Sequence, residues 1–122
     1  MPELGSTYRC NLPPRHIWVI ISDPNENERF VFVNLTTLTS KCVDDSCILQ
    51  ASDYPPYLTQ VTTVAYSRFK FGALAGLGQL LESGQFVEMP KIPQNTLQKI
   101  IQGARITLEL PKAAKSLLPD SN

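Results

Sequence analysis

The chain has 122 residues, near the usual size of one domain, and its 11 acidic and 11 basic residues give a formal net charge of zero. This balance lacks the basic footprint of a general nucleic-acid binder, and no run of about 18 apolar residues predicts a membrane span. No repeat or break in composition divides the sequence, so we expect residues 1–122 to form a single domain.

The N-terminal part of the sequence predicts β-strands. Residues 7–12 are an edge-strand candidate, and the two prolines that follow end it because neither nitrogen can donate to a neighbouring strand. Residues 17–21 are a β-branched apolar run, typical of a strand buried on both faces. A turn at residues 22–27 separates this run from the next strand, residues 30–35, so the two runs predict a hairpin.

The strand signals in the middle of the chain are shorter. Residues 47–50 predict a short strand, and residues 53–56 predict an irregular segment because they contain two consecutive prolines. Residues 61–68 alternate in character and predict a further strand, with residues 69–71 as its candidate extension.

The C-terminal part predicts helices. Leucines recur at helical spacing over residues 74–81, and Gly84 stands where such a helix would stop. Asn95 is a candidate N-cap for a second helix, and residues 111–118 are a candidate last helical turn. Together these elements predict a mainly β protein, a small antiparallel β-barrel of about five to seven strands with C-terminal helices packed on it.

Four polar residues flank the predicted hairpin where its strands meet. Arg15 and His16 precede the first strand, and Thr36 and Thr37 close the second. Because the start of one strand lies beside the end of its antiparallel partner, we expect these side chains at one rim. A guanidinium matches phosphate oxygens, an imidazole can move a proton, and hydroxyls can stabilise negative charge. The rim is a candidate phosphodiester site, although ordinary solvated side chains would give the same pattern.

Aromatic and basic residues occur together over residues 54–70. The aromatic and basic residues of this stretch are Tyr54, Tyr57, Tyr66, Arg68 and Lys70. Stacking combined with positive charge holds single-stranded RNA, so Tyr54, Tyr66 and Arg68 are candidate substrate-binding residues. His16 joins this substrate-binding set from the rim. Core packing and surface solubility explain the same residues without a ligand, so both interpretations stay open.

Three cysteines and a single histidine offer a thiol or metal alternative. An odd number of cysteines without a secretion signal fits a reducing compartment, so we expect a cytoplasmic protein. Cys42 and Cys47 form one loose pair far from His16, whereas structural zinc usually takes two close pairs of ligands. Cys10 and His16 could face each other across a hairpin as a thiol–imidazole pair. We expect ordinary free cysteines, with no metal site and no cofactor.

The order of these elements resembles the PemK/MazF-like toxin family. Those proteins open with a glycine–aromatic strand, followed by a Val/Ile-rich strand led by an arginine, a turn, and a strand that ends in a Thr/Ser motif. Here Gly5 and Tyr8, then Arg15 before residues 18–22, then residues 31–37 are similar in order and spacing. The similarity is closest over the N-terminal third and continues in outline through the helical end.

The resemblance implies a compact SH3-like β-barrel, usually a homodimer, that cleaves single-stranded RNA without a metal. It also implies a place in a toxin–antitoxin system, with a small antitoxin protein as partner. Arg15 would correspond to the family's arginine, which stabilises charge on the phosphate and takes part in proton transfer. Thr36 or Thr37 would correspond to the hydroxyl that supports the transition state.

A non-catalytic binding module on the same barrel is the alternative. The neutral net charge favours it, and so does His16, which stands where the family usually has a proline directly after the arginine. Such a module would hold a protein partner or a nucleic-acid strand through residues 54–70 and the leucine-rich helix. The sequence therefore predicts either an endoribonuclease toxin or a binding barrel.

Overall fold

The computed structural model describes residues 2–39 and 44–120. The strands are β1 (Thr7–Cys10), β2 (Ile17–Ile20), β3 (Arg29–Thr37), β4 (Ile48–Leu49), β5 (Thr62–Ala73) and β6 (Phe86–Met89). The helices are α1 (Leu74–Glu82), α2 (Gln94–Ile106) and α3 (Lys112–Lys115), with a short 3-10 helix at Ala51–Asp53. None of the helices in these ranges has both the length and the apolar character needed to cross a bilayer.

All six strands form one antiparallel sheet in the order β4-β5-β3-β2-β1-β6, which curls into a half-barrel. Strand β1 pairs with β2 on one side and with β6 on the other, so the prediction of an N-terminal edge strand is wrong. The reason is that the sequence analysis did not predict β6, which covers the outer side of β1.

The predicted hairpin of β2 and β3 is confirmed. Ile17 pairs with Leu35 and Val19 with Val33 in a regular antiparallel register. Because successive side chains of a strand point to opposite faces, the hairpin places aliphatic residues on one face of the sheet and aromatic residues on the other. Val19 and Ile20 are both fully buried on opposite faces, which confirms that β2 is covered on both sides.

Helices α2 and α3 cover the aliphatic face. Ile100 and Ala104 of α2 and Ala114 of α3 are fully buried against this part of the sheet. Helix α2 begins at Gln94 with Pro93 as its N-cap residue, so Asn95 lies in the first turn and the predicted N-cap is wrong. Proline occupies this position readily because a helix start does not require its missing N–H.

Helix α1 covers part of the aromatic face. The buried side chains of this second cluster are Tyr8, Trp18, Ile20, Phe30, Phe32, Leu77 and Phe86. A Cβ atom at Gly72 would lie 2.6 Å from Phe30 Cζ, so the absence of a side chain there makes room for the phenylalanine ring. Gly84 follows α1 with a φ of 78°, which only glycine adopts without strain, and it ends the helix as the sequence predicts.

Strand β5 bulges in its middle. Phe32 pairs with Lys70, whereas Asn34, only two residues further along β3, pairs with Ala65, five residues earlier in β5. The extra residues of β5 reset its side-chain alternation. As a result Tyr66 points into the aliphatic core, while Arg68 lines a cavity on the aromatic face.

Candidate functional site

The ends of β2 and β3 build a cavity that we call the rim cavity. Ile17, the first residue of β2, pairs with Leu35, so Arg15 and His16 directly precede this pair and Thr36 and Thr37 directly follow it. Those four predicted residues line one cavity of about 380 Å³. The hairpin register is therefore what assembles this group of polar side chains.

The opposite wall of the rim cavity comes from the segment between the 3-10 helix and β5. It contributes Tyr57, whose ring is 40% exposed, together with Leu58, Thr59 and Gln60. No carboxylate is among the described residues that line the cavity. Tyr57 belongs to the aromatic and basic stretch of the sequence but is not among the predicted substrate-binding residues, although its position directly after Pro55 and Pro56 is typical of an exposed loop.

Arg15 is the available cation of the rim cavity. Its side chain is exposed, and it forms no hydrogen bond or ion pair with any residue that the structure describes. The Thr36 hydroxyl, in contrast, donates to Asn34 Oδ1 over 2.9 Å, and Asn34 is buried. The cavity thus combines a guanidinium that no described residue binds with a hydroxyl group whose position is fixed by its hydrogen bond to Asn34.

His16 is half-buried and lines the rim cavity on one side. Burial lowers the pKa of its imidazole below the usual 6.5, and the positive charge of Arg68 lowers this pKa further. Both causes favour the neutral form of the imidazole. A neutral imidazole can accept a proton, which a protonated one cannot.

A second cavity, which we call the basic cavity, lies on the other side of His16. It measures about 560 Å³ and is lined by Trp18, Asn34, Arg68 and Lys70 among others. The bulge of β5 directs Arg68 into it. Arg68, predicted to bind substrate, therefore neighbours His16 in the basic cavity and is not among the residues that line the rim cavity.

The structure assigns Tyr54 and Tyr66 to the core instead of to either cavity. They are only 2% and 0% exposed. The Tyr66 hydroxyl donates to the carbonyl oxygen of Ile100 over 2.6 Å, and the Tyr54 hydroxyl donates to that of Pro90. Burial raises the pKa of both phenols, that of Tyr54 to about 12. No base can stack on either ring while it occupies this position, so their predicted role in substrate binding does not fit the geometry.

The cysteine alternative finds partial geometric support. The backbone N–H of Cys10 donates to the carbonyl oxygen of His16, so the two residues face each other across β1 and β2 as the sequence analysis considered. Cys47 is buried, which raises the pKa of its thiol to about 11, and Cys42 lies outside the described residues. Over residues 2–39 and 44–120, no three His, Cys, Asp or Glu side chains form a group that could hold a metal ion.

Comparison with known proteins does not assign the chain to a family. No protein-family model matches it, and no curated protein sequence is significantly similar to it.

Proposed function

We propose that this protein is a PemK/MazF-like endoribonuclease that cleaves single-stranded RNA in the rim cavity without a metal ion. The observation that carries the proposal is that Arg15, His16, Thr36 and Thr37 line one open cavity. The ribose 2′-hydroxyl attacks the adjacent phosphate in this reaction, which calls for a cation, a proton acceptor and hydroxyl groups. Arg15, which no described residue binds, His16 and the two threonines supply these groups.

The chemistry follows from the position of each group. His16 accepts the proton of the 2′-hydroxyl as the 2′-oxygen forms its bond to phosphorus. The bond between phosphorus and the 5′-oxygen breaks, the imidazolium returns the proton to that oxygen, and a 2′,3′-cyclic phosphate remains. Arg15 binds the non-bridging oxygens and stabilises the negative charge that develops on them. Thr36, whose hydroxyl hydrogen is directed to Asn34, presents its lone pairs to the reacting ribose.

Residues around the rim cavity suit a single-stranded substrate. The exposed ring of Tyr57 offers a surface on which one base can stack. Arg68 lines the basic cavity together with His16, which supports a role in binding the next phosphate of the strand. Single-stranded RNA fits this arrangement because its bases can turn out of a stack towards an aromatic side chain.

A fluorophore–quencher RNA oligonucleotide tests the proposal in buffer that contains EDTA. We expect the wild type to cleave it and to leave a 2′,3′-cyclic phosphate, and Arg15→Ala to lose at least about 100-fold in rate. Arg29→Ala is the matched control, because Arg29 is also exposed but lies at the opposite end of β3. Equal cleavage by wild type and Arg15→Ala would overturn the assignment, as would cleavage of a substrate with a 2′-deoxyribose at the cut position.

We also propose the finer features that the resemblance implies: an SH3-like barrel, a homodimer, and control by a small antitoxin protein. The curled antiparallel sheet supports the first of these. Light scattering tests the second, with an expected mass of twice 13.6 kDa. Induced expression in a bacterial host tests the toxic activity, which Arg15→Ala should abolish and Arg29→Ala should retain.

A non-catalytic binding barrel is the second candidate function. The observation that favours it is that two cations, Arg68 and Lys70, line the basic cavity, a combination suited to holding the phosphates of a nucleic-acid strand. Stable binding of the RNA oligonucleotide without turnover, unchanged in His16→Ala, would select this function over cleavage.

A further inference from the structure

The aromatic face of the sheet contains a cavity that α1 does not fill, which we call the aromatic pocket. It measures about 510 Å³, within the range of small-molecule sites. Its walls are Trp18 of β2, Phe30 and Phe32 of β3, Leu77 of α1 and Phe86 of β6. Such a lining favours an apolar guest, because burial of apolar surface is the main source of affinity that it offers.

The aromatic pocket continues into the basic cavity. The two share four lining residues, and Lys70 and Trp18 are among them. No Asp or Glu is among the described residues that line either cavity, and Lys70 forms no ion pair with a described residue. The Lys70 ammonium, which pairs with no carboxylate in the described part of the chain, thus lies where the apolar pocket meets the more polar cavity.

We propose that the aromatic pocket and Lys70 together bind a monomeric anionic amphiphile, a molecule with one apolar tail and one anionic head group. The tail lies among Trp18, Phe32 and Phe86, and the head group pairs with the Lys70 ammonium. A nucleobase fits this pocket less well, because base recognition requires several fixed donors and acceptors, and the walls are almost entirely hydrocarbon. The site is separate from Arg15 and does not depend on RNA cleavage.

Gly76 lines the pocket without contributing a side chain to it. It lies on α1 among the lining residues, and a Cβ atom there would meet no atom within 4 Å. Gly78 lies on the same helix with equally open surroundings, but it is not among the residues that line the pocket. The two glycines therefore offer a matched pair of substitutions, one inside the proposed site and one outside it.

Titration with sodium decanoate tests the proposal on the full chain. Trp18 is the single tryptophan and lines both cavities, so its fluorescence reports directly on occupancy. We expect a saturable change with decanoate and about tenfold weaker binding of decanol, which lacks the charge. Absence of a saturable signal with decanoate, or equal affinity for decanoate and decanol, would overturn the proposal.

Two pairs of variants locate the tail and the head group. Gly76→Leu should weaken decanoate binding at least about tenfold, whereas Gly78→Leu should bind decanoate like the wild type. Both variants should fold, because leucine favours a helix more than glycine does. Lys70→Gln should weaken decanoate but not decanol, whereas Lys112→Gln on α3 should change neither. Unaltered decanoate binding by Gly76→Leu or by Lys70→Gln would overturn the assigned site.

Vesicles of anionic phospholipid distinguish a single amphiphile from a membrane surface. We expect Trp18 to respond to decanoate and the protein not to sediment with the vesicles. Two results together would overturn the proposal: Trp18 does not respond to decanoate, and both the wild type and Gly76→Leu sediment with the vesicles. They would mean that Lys70 binds a lipid surface.

Discussion

His16 lies between the rim cavity and the basic cavity and lines both of them. The protonation state of His16 therefore affects the affinity for an anion bound beside Arg15 and also for one bound beside Arg68. Burial is the larger cause of its lowered pKa, and the charge of Arg68 is the smaller one. The two causes can be separated by experiment because the chain contains a single histidine.

An NMR titration of the imidazole resonance should show a midpoint below 6.5 in the wild type. Arg68→Gln removes the positive charge that disfavours protonation, so the midpoint should rise. It should nevertheless stay below 6.5, because the imidazole remains buried. A midpoint that does not move in Arg68→Gln would mean that Arg68 exerts no electrostatic effect on His16.

Tyr57 in the rim cavity and Tyr66 in the core should respond differently to substitution. Tyr57→Ala removes the exposed ring of the rim cavity and should weaken RNA binding by about 1–3 kcal/mol. Tyr66→Phe removes the hydrogen bond to Ile100 and should lower the free energy of unfolding by about 1 kcal/mol without changing RNA affinity. Fluorescence anisotropy and urea denaturation of both variants measure these effects. A loss of RNA affinity in Tyr66→Phe would contradict the assignment of this residue to the core.

The sequence predicts the grouping of the rim residues but not the placement of the tyrosines. Arg15, His16, Thr36 and Thr37 come together because hairpin register follows from two β-branched runs and the turn between them. Alternation along β5 would place Tyr66 and Arg68 on the same face. The bulge separates them, and nothing in the composition of the strand signals where the extra residues fall.

Among the elements, α2 makes a close approach to the sheet at Gly103. A Cβ atom there would lie 2.8 Å from Cys47 Cβ and 2.9 Å from the carbonyl oxygen of Ser46. The second of these is a backbone atom that cannot rotate away. The contact explains why a helix otherwise rich in good helix formers contains a buried glycine.

Gly103→Ala should therefore destabilise the protein by about 1–3 kcal/mol in urea denaturation, because backbone of the β4 segment must shift. Gly78→Ala is the matched control in α1, where the added methyl group meets open space. It should stabilise the protein by up to about 1 kcal/mol, since alanine favours a helix over glycine. If both substitutions changed the free energy of unfolding in the same direction, this account of the helix–sheet contact would be wrong.

The one strand that the sequence does not predict is β6. Its four residues, Phe86–Met89, follow Gly84 closely and run directly into Pro90, so the segment looks like part of a linker. Pairing with β1 holds it in the sheet, and that pairing depends on the tertiary fold instead of on local sequence. The missing strand also accounts for the wrong edge assignment of β1.

At the scale of the whole molecule, zero net charge conceals an uneven distribution. Lys91 and Lys99 are neutralised by Glu3 and Asp53, whereas Arg15, Arg68 and Lys70 form no ion pair with described residues. These three cations line neighbouring cavities that have no carboxylate among their described lining residues. A neutral chain can therefore still present a basic face to an anion.

RNA affinity should consequently decrease with salt. If Arg15 and Arg68 each contact one phosphate, a plot of log K against log salt concentration should have a slope of roughly −1.4, since each contact contributes about −0.7 for a single strand. Arg15→Gln should halve this slope, while Arg29→Gln should leave it unchanged. A slope near zero in the wild type would mean that the phosphates are not bound by these arginines.

The half-barrel leaves two outer strands, and both are short. Strand β4 has two residues, and β6 has four and is followed by Pro90 and Pro93, which cannot donate to a growing ladder. Strand β4 pairs with only Thr62 and Thr63 of β5, so most of β5 has a paired strand on just one of its two sides among the described residues. A second molecule that added a strand to the sheet would therefore form few backbone hydrogen bonds at β4 or β6 and more along the remainder of β5.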